Sequence, residues 1–342
     1  MKRTQAVKNF VLSTITSNFP TDLTDTIVVT GSPRSGTTWL AELLREMPGY
    51  KQLNEPLHLD SAPRAREVQG LKWRTYVPEN DDFPELEGLL HDAFTGREGS
   101  TWKWRLKDSN PLRQVYQHAT RRKLIVKLIR AGRMLPWVTK RFPVRALVST
   151  FRHPCAVVAS QLNYGWSVSR YPEPTDLQET LGQFPNEIER MFGSVLANID
   201  SPAGVLAAVW CIDTYMTLHQ PVYRPWIVTT YEDLLERRTT EVHRILDALG
   251  EPVPQGLDAQ LNEPSHSAAD DLTVDDIERQ LSKWQQRLDA DQIDTVLSLV
   301  DTFGLTVYTE ERRPNHQRLR QILTDGANTT TGTEPALPDY TL

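Results

Sequence analysis

The sequence predicts an α/β fold, a parallel sheet flanked by helices in a single domain, because three strand-to-helix units follow one another along the chain. Ile27, Val28 and Val29 form a β-branched run that leads through a glycine-bounded loop into Trp39, Leu40, Leu43, Leu44 and Met47 at helical spacing. Residues 146–151 read as a second strand, and Pro154 stands where the first turn of a helix accepts proline. Residues 226–231 read as a third strand, and Val242, Ile245, Leu246 and Leu249 then make one helix face stopped by Gly250 and Pro252. Strands that alternate with helices belong to parallel sheets, since each crossover needs an element to carry the chain back. A further β-rich run at 123–129 adds a strand, and 342 residues suffice for a substantial core.

The first unit holds the strongest chemical signal. Gly31-Ser-Pro-Arg-Ser-Gly36 turns the backbone sharply, and Pro48-Gly49 ends the helix that follows. Loop amides and the helix N-terminus then cradle an anion, with about half a positive charge from the macrodipole. The spacing Gly31-x-x-x-x-Gly36 is that of a Walker A loop, yet Thr37 stands where that motif requires lysine. The cation comes earlier, at Arg34, and Thr37 and Thr38 supply hydroxyls. The run from Gly31 to Leu40, with Arg34, Ser35, Gly36, Thr37, Thr38 and Trp39 in that order, resembles the 5′-phosphosulfate loop of sulfotransferases. Those enzymes use 3′-phosphoadenosine 5′-phosphosulfate (PAPS). The resemblance implies that Arg34 to Trp39 contact this donor, and that the fold is like that of P-loop nucleotide kinases.

Composition narrows the class. Hydrophobic residues make up 39% and charged residues 24%, as in soluble globular proteins. A net charge of −6 gives no overall attraction to nucleic acid. Two cysteines, Cys155 and Cys211, make no disulfide framework and lie in no metal-ligand spacing. No apolar run is long enough to span a bilayer, so no integral membrane association is expected. The charged N-terminus is followed by a segment broken by Ser13, Thr14 and Thr16, which lacks the apolar core of a signal peptide. Val7, Phe10, Val11 and Ile15 instead suit one face of a short helical extension over residues 1–25. The expectation is a cytoplasmic, reduced protein.

A base is the next requirement, because a hydroxyl that attacks sulfur must lose its proton. Glu55, just before Pro56, returns from the loop helix, and it resembles the glutamate base of sulfotransferases acting on carbohydrates or tyrosine. His58 competes for the role, since cytosolic small-molecule sulfotransferases use histidine, although theirs lies further along the chain. Residues 60–122 interleave basic and aromatic side chains, as in Leu71-Lys-Trp-Arg-Thr-Tyr76, and read as an insertion over the core. Trp102, Trp104 and Leu106 alternate with Lys103, Arg105 and Lys107, which suits a strand with one apolar and one basic face. Lys127 interrupts the next strand and needs a partner or a ligand if buried. By resemblance it is the lysine that points at the bridging oxygen of the donor, and a strand-end salt bridge accounts for it equally well.

Arg152 lies at the end of the second strand and Ser160 about two turns into its helix, on the edge where open α/β sheets bind ligands. Arg152-His153-Pro154, followed by Ala156-Val-Val-Ala-Ser160, resembles the sulfotransferase element in which arginine and serine grip the 3′-phosphate. That element has no use in a triphosphate kinase. Tyr164 and Trp166 stand just past it, within a lid-like insertion at about 163–200. Tyr231-Glu-Asp-Leu resembles the segment on the adenine side of the donor, implying a contact from Tyr231. Residues 272–304 read as helical, with Leu281, Trp284, Leu288 and Val300 among the apolar contacts. The Gly-rich basic donor loop of cytosolic relatives is missing, so another group must close over the 3′-phosphate. From residue 315 the chain has little to bury and reads as a disordered tail.

Taken with the resemblance, which covers about 26–250, the expectation is a sulfotransferase domain over 26–314. It transfers a sulfonyl group from PAPS to an acceptor hydroxyl or amine, leaves 3′-phosphoadenosine 5′-phosphate (PAP), and requires no metal. A P-loop kinase with a degenerate Walker A loop, or a non-catalytic nucleotide-binding protein, is the alternative. The acceptor (carbohydrate, lipid, peptide or small molecule) and the oligomeric state, a homo-oligomer included, are not fixed by the sequence.

Overall fold

In the computed structural model, Ile27-Val28-Val29 is the centre of strand β1 (Thr26–Thr30), and all three side chains are fully buried. The structure describes residues 20–98, 116, 120–165, 180–255, 257, 277–328 and 338–339. Strands β2 (Tyr50–Asn54), β3 (Lys123–Lys127), β4 (Ala146–Phe151), β5 (Trp226–Thr230) and the two-residue β6 (Pro338–Asp339) join β1 in one sheet. Its order is β2-β3-β1-β4-β5-β6, and every neighbouring pair is parallel. The expected α/β fold, a parallel sheet flanked by helices, is what the chain adopts.

Both faces of the sheet are covered, which is why its central strands read as continuous apolar runs. Val28 faces a large core with Leu53, Leu124, Val126 and Leu147. Ile27 and Val29 face a second core with Leu40, Leu43 and Leu44 of helix α1 (Thr37–Leu44) and with Ile245 and Leu246.

Helix α2 (Pro84–Phe94) buries Leu86, Leu89, Leu90 and Phe94 under the first face. After β4 comes α3 (Pro154–Asn163), with the expected proline in its first turn, and later α4 (Asn186–Leu196). Helix α5 (Pro202–His219) is buried nearly all round and packs on α3, α8 (Ala290–Thr302) and α9 (His316–Asn328). Tyr231 opens α6 (Tyr231–Glu236), so it begins a helix where the sequence suggests the end of a strand. Helix α7 (Arg238–Ala248) ends at Gly250, whose φ of 64° lets Glu251 N–H reach back to the Leu246 carbonyl.

Two further expectations change. Residues 50–54 form a strand that the sequence does not announce. The tail expected from residue 315 gives way at 316–328, where α9 buries Leu319, Ile322 and Leu323 against the core. The N-terminal extension up to residue 19, the alternating stretch at 102–107 and Trp166 lie outside the described residues. Among the described residues no helix is long and apolar enough to cross a membrane.

Candidate active site

The carboxyl ends of β1 to β5 meet at one edge of the sheet, and the strand order fixes what stands there. Glu55 follows β2, Lys127 ends β3, the loop 31–36 follows β1, Arg152 follows β4, and Tyr231 follows β5. Residues distant in sequence therefore converge without a long loop.

The loop is held from behind by β4 and α3. Gly31 has φ 148°, and a Cβ there would sit 2.3 Å from the Thr150 carbonyl oxygen. Thr150 Oγ1 donates to the Ser35 carbonyl at 3.1 Å, and Gln161 Nε2 donates to the Pro33 carbonyl at 3.2 Å. Gly36 has φ 84°, and a Cβ there would lie 2.7 Å from the Tyr231 ring. Gly36→Ala is expected to cost at least about 1–2 kcal/mol, the left-handed backbone penalty alone, and to push Tyr231 aside. Thermal unfolding checks this, and an unchanged Tm contradicts the close approach.

One arm of the site gathers two arginines. Arg34 Nε donates to Ser160 Oγ at 3.0 Å, and the Arg152 guanidinium donates to the Arg34 carbonyl at 2.9 Å. Each guanidinium lies over an aromatic ring: Arg34 over Tyr164 at 4.3 Å, Arg152 over Tyr231 at 4.1 Å. Trp39 meets Tyr231 edge-on at 6.4 Å. Ser35 Oγ, Trp39 Nε1 and Arg152 Nε are buried and have no hydrogen-bond partner among the described residues. Buried polar atoms are seldom left so, and three beside one loop suit a ligand rich in acceptor oxygens.

The other arm is an ionic chain. Lys127 Nζ stands 2.8 Å from Glu55 Oε1 and 2.8 Å from Thr38 Oγ1, so the strand-end lysine bridges carboxylate and loop. Arg130 approaches Glu55 Oε2 at 3.5 Å from the far side and lies over Trp73 at 4.6 Å. Burial alone would raise the Glu55 pKa, but the Lys127 charge and hydrogen bond, with the Arg130 charge, hold it below the usual carboxylate range. The His58 backbone N–H donates to the Glu55 carbonyl, and its ring meets the Trp73 ring edge-on at 4.8 Å.

Every predicted site residue thus lies at this edge: Arg34 to Trp39 and Glu55, with His58 beside it, then Lys127, Arg152, Ser160 and Tyr231. Sequence reasoning missed Arg130 and the support from Thr150 and Gln161. The signal for Arg130 was its place three residues past Lys127, at the same strand end. It also overlooked the backbone. Arg34, Glu55 and Arg130 are the described non-glycine residues with left-handed φ, at 77°, 52° and 71°. Each such residue costs about 1–3 kcal/mol, and such strain collects where geometry serves a ligand or a reaction. Glu55 is notable because a residue before proline ordinarily stays extended.

The chain was also compared with known proteins. No curated protein matches the chain. Among solved structures, the sulfotransferase domain of the Synechococcus PCC 7002 olefin synthase is 19% identical, with a TM-score of 0.45, over 83% of this chain and 94% of its own. The sulfotransferase domain of the curacin biosynthetic pathway is also 19% identical, with a TM-score of 0.42, over 81% of this chain and 96% of its own. Retinol dehydratase, solved with retinol and PAP, is 16% identical with a TM-score of 0.33, covering 96% of this chain and 88% of its own. The model of the Sulfotransferase family matches residues 26–255, two thirds of the sequence, and the chain belongs to that family.

Proposed function

We propose that this sulfotransferase moves a sulfonyl group from PAPS to a hydroxyl or amine of a carbohydrate, lipid or small molecule. One observation carries the reading: Lys127 Nζ is 2.8 Å from both Glu55 Oε1 and Thr38 Oγ1, which joins a base to the phosphate loop. In this reading the donor lies along the carboxyl edge of the sheet. The loop amides with Ser35, Thr37 and Thr38 hold its 5′-phosphosulfate, Trp39 and Tyr231 its adenine side, and Arg152 with Ser160 its 3′-phosphate. The unpartnered Ser35 Oγ, Trp39 Nε1 and Arg152 Nε fit such a ligand.

The donor supplies an already activated sulfonyl group. Glu55 accepts the acceptor's proton as its oxygen or nitrogen bonds to sulfur. The bond from sulfur to the phosphate oxygen breaks, its electron pair stays on that oxygen, and Lys127 with Arg34 stabilises the charge. The motifs ask for no metal. A reducing, cytoplasmic setting suits the two buried, unpaired thiols of Cys155 and Cys211.

Calorimetry with PAP and AMP tests the donor. PAP is expected to bind much more tightly, and Arg152→Ala to erase most of that preference. A hydrogen bond to a charged group contributes about 1.5–3 kcal/mol, roughly 10- to 150-fold in affinity. Equal binding of PAP and AMP by the unmodified chain sinks the 3′-phosphate assignment and favours a kinase, in which Thr37 replaces the Walker lysine.

A further inference from the structure

We propose that the C-terminal region braces the donor site from behind, and that Glu232, Tyr308 and His153 are positioning residues that hold Arg152 where it selects a 3′-phosphorylated nucleotide. This rests on the donor assigned above.

Arg152 is held at both ends by two consecutive residues. Its guanidinium lies 4.1 Å over the Tyr231 ring. The next peptide N–H, that of His153, donates to Glu232 Oε1 at 3.0 Å. Tyr231-Glu232 therefore fixes both where the Arg152 backbone leaves β4 and where its charge comes to rest.

That pair is in turn braced from beyond residue 255, where the family match ends. Tyr308 O–H donates to Glu232 Oε2 at 3.0 Å. His153 lies flat on Trp284, with ring centres 4.6 Å apart, and meets Tyr308 edge-on at 5.3 Å. Its Nδ1 accepts the Cys155 N–H, so Nε2 carries the proton and donates to the Thr309 carbonyl at 3.0 Å.

Packing alone does not ask for these groups. His153, Glu232, Tyr308 and Trp284 are all buried, and a carboxyl in such surroundings is costly unless hydrogen-bonded. Burial pushes the Glu232 carboxyl up to about 7 and the His153 ring down to about 4, which leaves the imidazole neutral at pH 7. Both Glu232 oxygens are committed to oriented donors, one on the Arg152 side and one on the C-terminal side. An apolar side chain would fill the space without aiming anything.

The test measures PAP and AMP affinities for the full chain and for Tyr308→Phe, Glu232→Ala and Glu232→Gln. Tyr308→Phe, which loses one hydroxyl, is expected to lower the PAP-to-AMP affinity ratio about three- to tenfold, and Glu232→Ala at least about tenfold, the range of single hydrogen bonds. Glu232→Gln still accepts the His153 N–H and should keep the ratio within about threefold of the parent. A general loss of structure would weaken PAP and AMP alike, and that outcome overturns the proposal, as does an unchanged ratio in Tyr308→Phe. Should Glu232→Ala not fold, the single-hydroxyl change at Tyr308 decides. A parent chain without PAP preference removes the donor reading as well. A parent with that preference and variants that keep it remove only the role of the C-terminal region.

Discussion

Glu55→Gln is expected to lower transfer by about 10²–10⁴-fold, the usual contribution of a positioned general base, while PAP affinity stays unchanged. The substitution isolates proton acceptance. Glutamine retains an oxygen that can accept from Lys127 Nζ, now 2.8 Å from Glu55 Oε1, so the chain loses its carboxylate charge but keeps its shape. His58→Ala should be milder. The His58 ring meets Trp73 and helps to lower the Glu55 pKa by its charge, whereas its hydrogen bond to the Glu55 carbonyl comes from the backbone N–H, which alanine keeps. Single-turnover rates with a saturating donor check both variants. Full activity in Glu55→Gln with none in His58→Ala would make histidine the base.

Lys127→Met carries the second large effect, because one residue joins the Glu55 carboxylate to the loop at Thr38. Loss of an electrostatic group aimed at developing charge typically costs about 10²–10³ in turnover. Stability should also fall, by about 3–5 kcal/mol, since removing one partner of a buried pair leaves the other charge poorly compensated. The pH profile gives a further sign. Lys127 and Arg130 favour the ionised form of Glu55, so the parent enzyme keeps a competent base to a pH below the usual carboxylate range. Without Lys127 the two strongest influences that lower the Glu55 pKa are lost, so it rises and the acid limb of the rate profile moves to higher pH. An unmoved limb contradicts the coupling between the two residues.

The loop at 31–36 was legible because its chemistry is local. Gly31, Arg34, Gly36, Thr37 and Thr38 stand within eight positions, and each glycine answers to a close neighbour, Thr150 or Tyr231. β1, β4 and β5 were legible because strands buried on both faces are continuous apolar runs. β2 was not, since it buries Lys51 and Gln52, and polar residues at buried strand positions erase the pattern that marks a strand. Lys51 shows the expense, with burial pulling its pKa down to about 8. The hydrogen bond between Arg34 and Ser160 joins residues 126 positions apart and exists only through the β1–β4 pairing. Arg130 escaped for a similar reason. Its role depends on a left-handed backbone that aims it at Glu55, and arginine has no tendency to announce that conformation. Helix α9 was hidden by composition, since three buried apolar side chains hold an otherwise polar segment.

Sulfonyl transfer from a 3′-phosphorylated donor is tested most directly by following the sulfur. The purified chain is incubated with PAPS carrying radioactive sulfur and with cell extract fractionated into glycans, lipids and small molecules. The same incubation is run without added Mg²⁺ and with Glu55→Gln. Label should appear in one acceptor fraction with equimolar release of PAP, should persist without Mg²⁺, and should vanish with Glu55→Gln. No label from PAPS in any fraction, together with Mg²⁺-dependent transfer of the γ-phosphate of ATP to the same fractions, would contradict it.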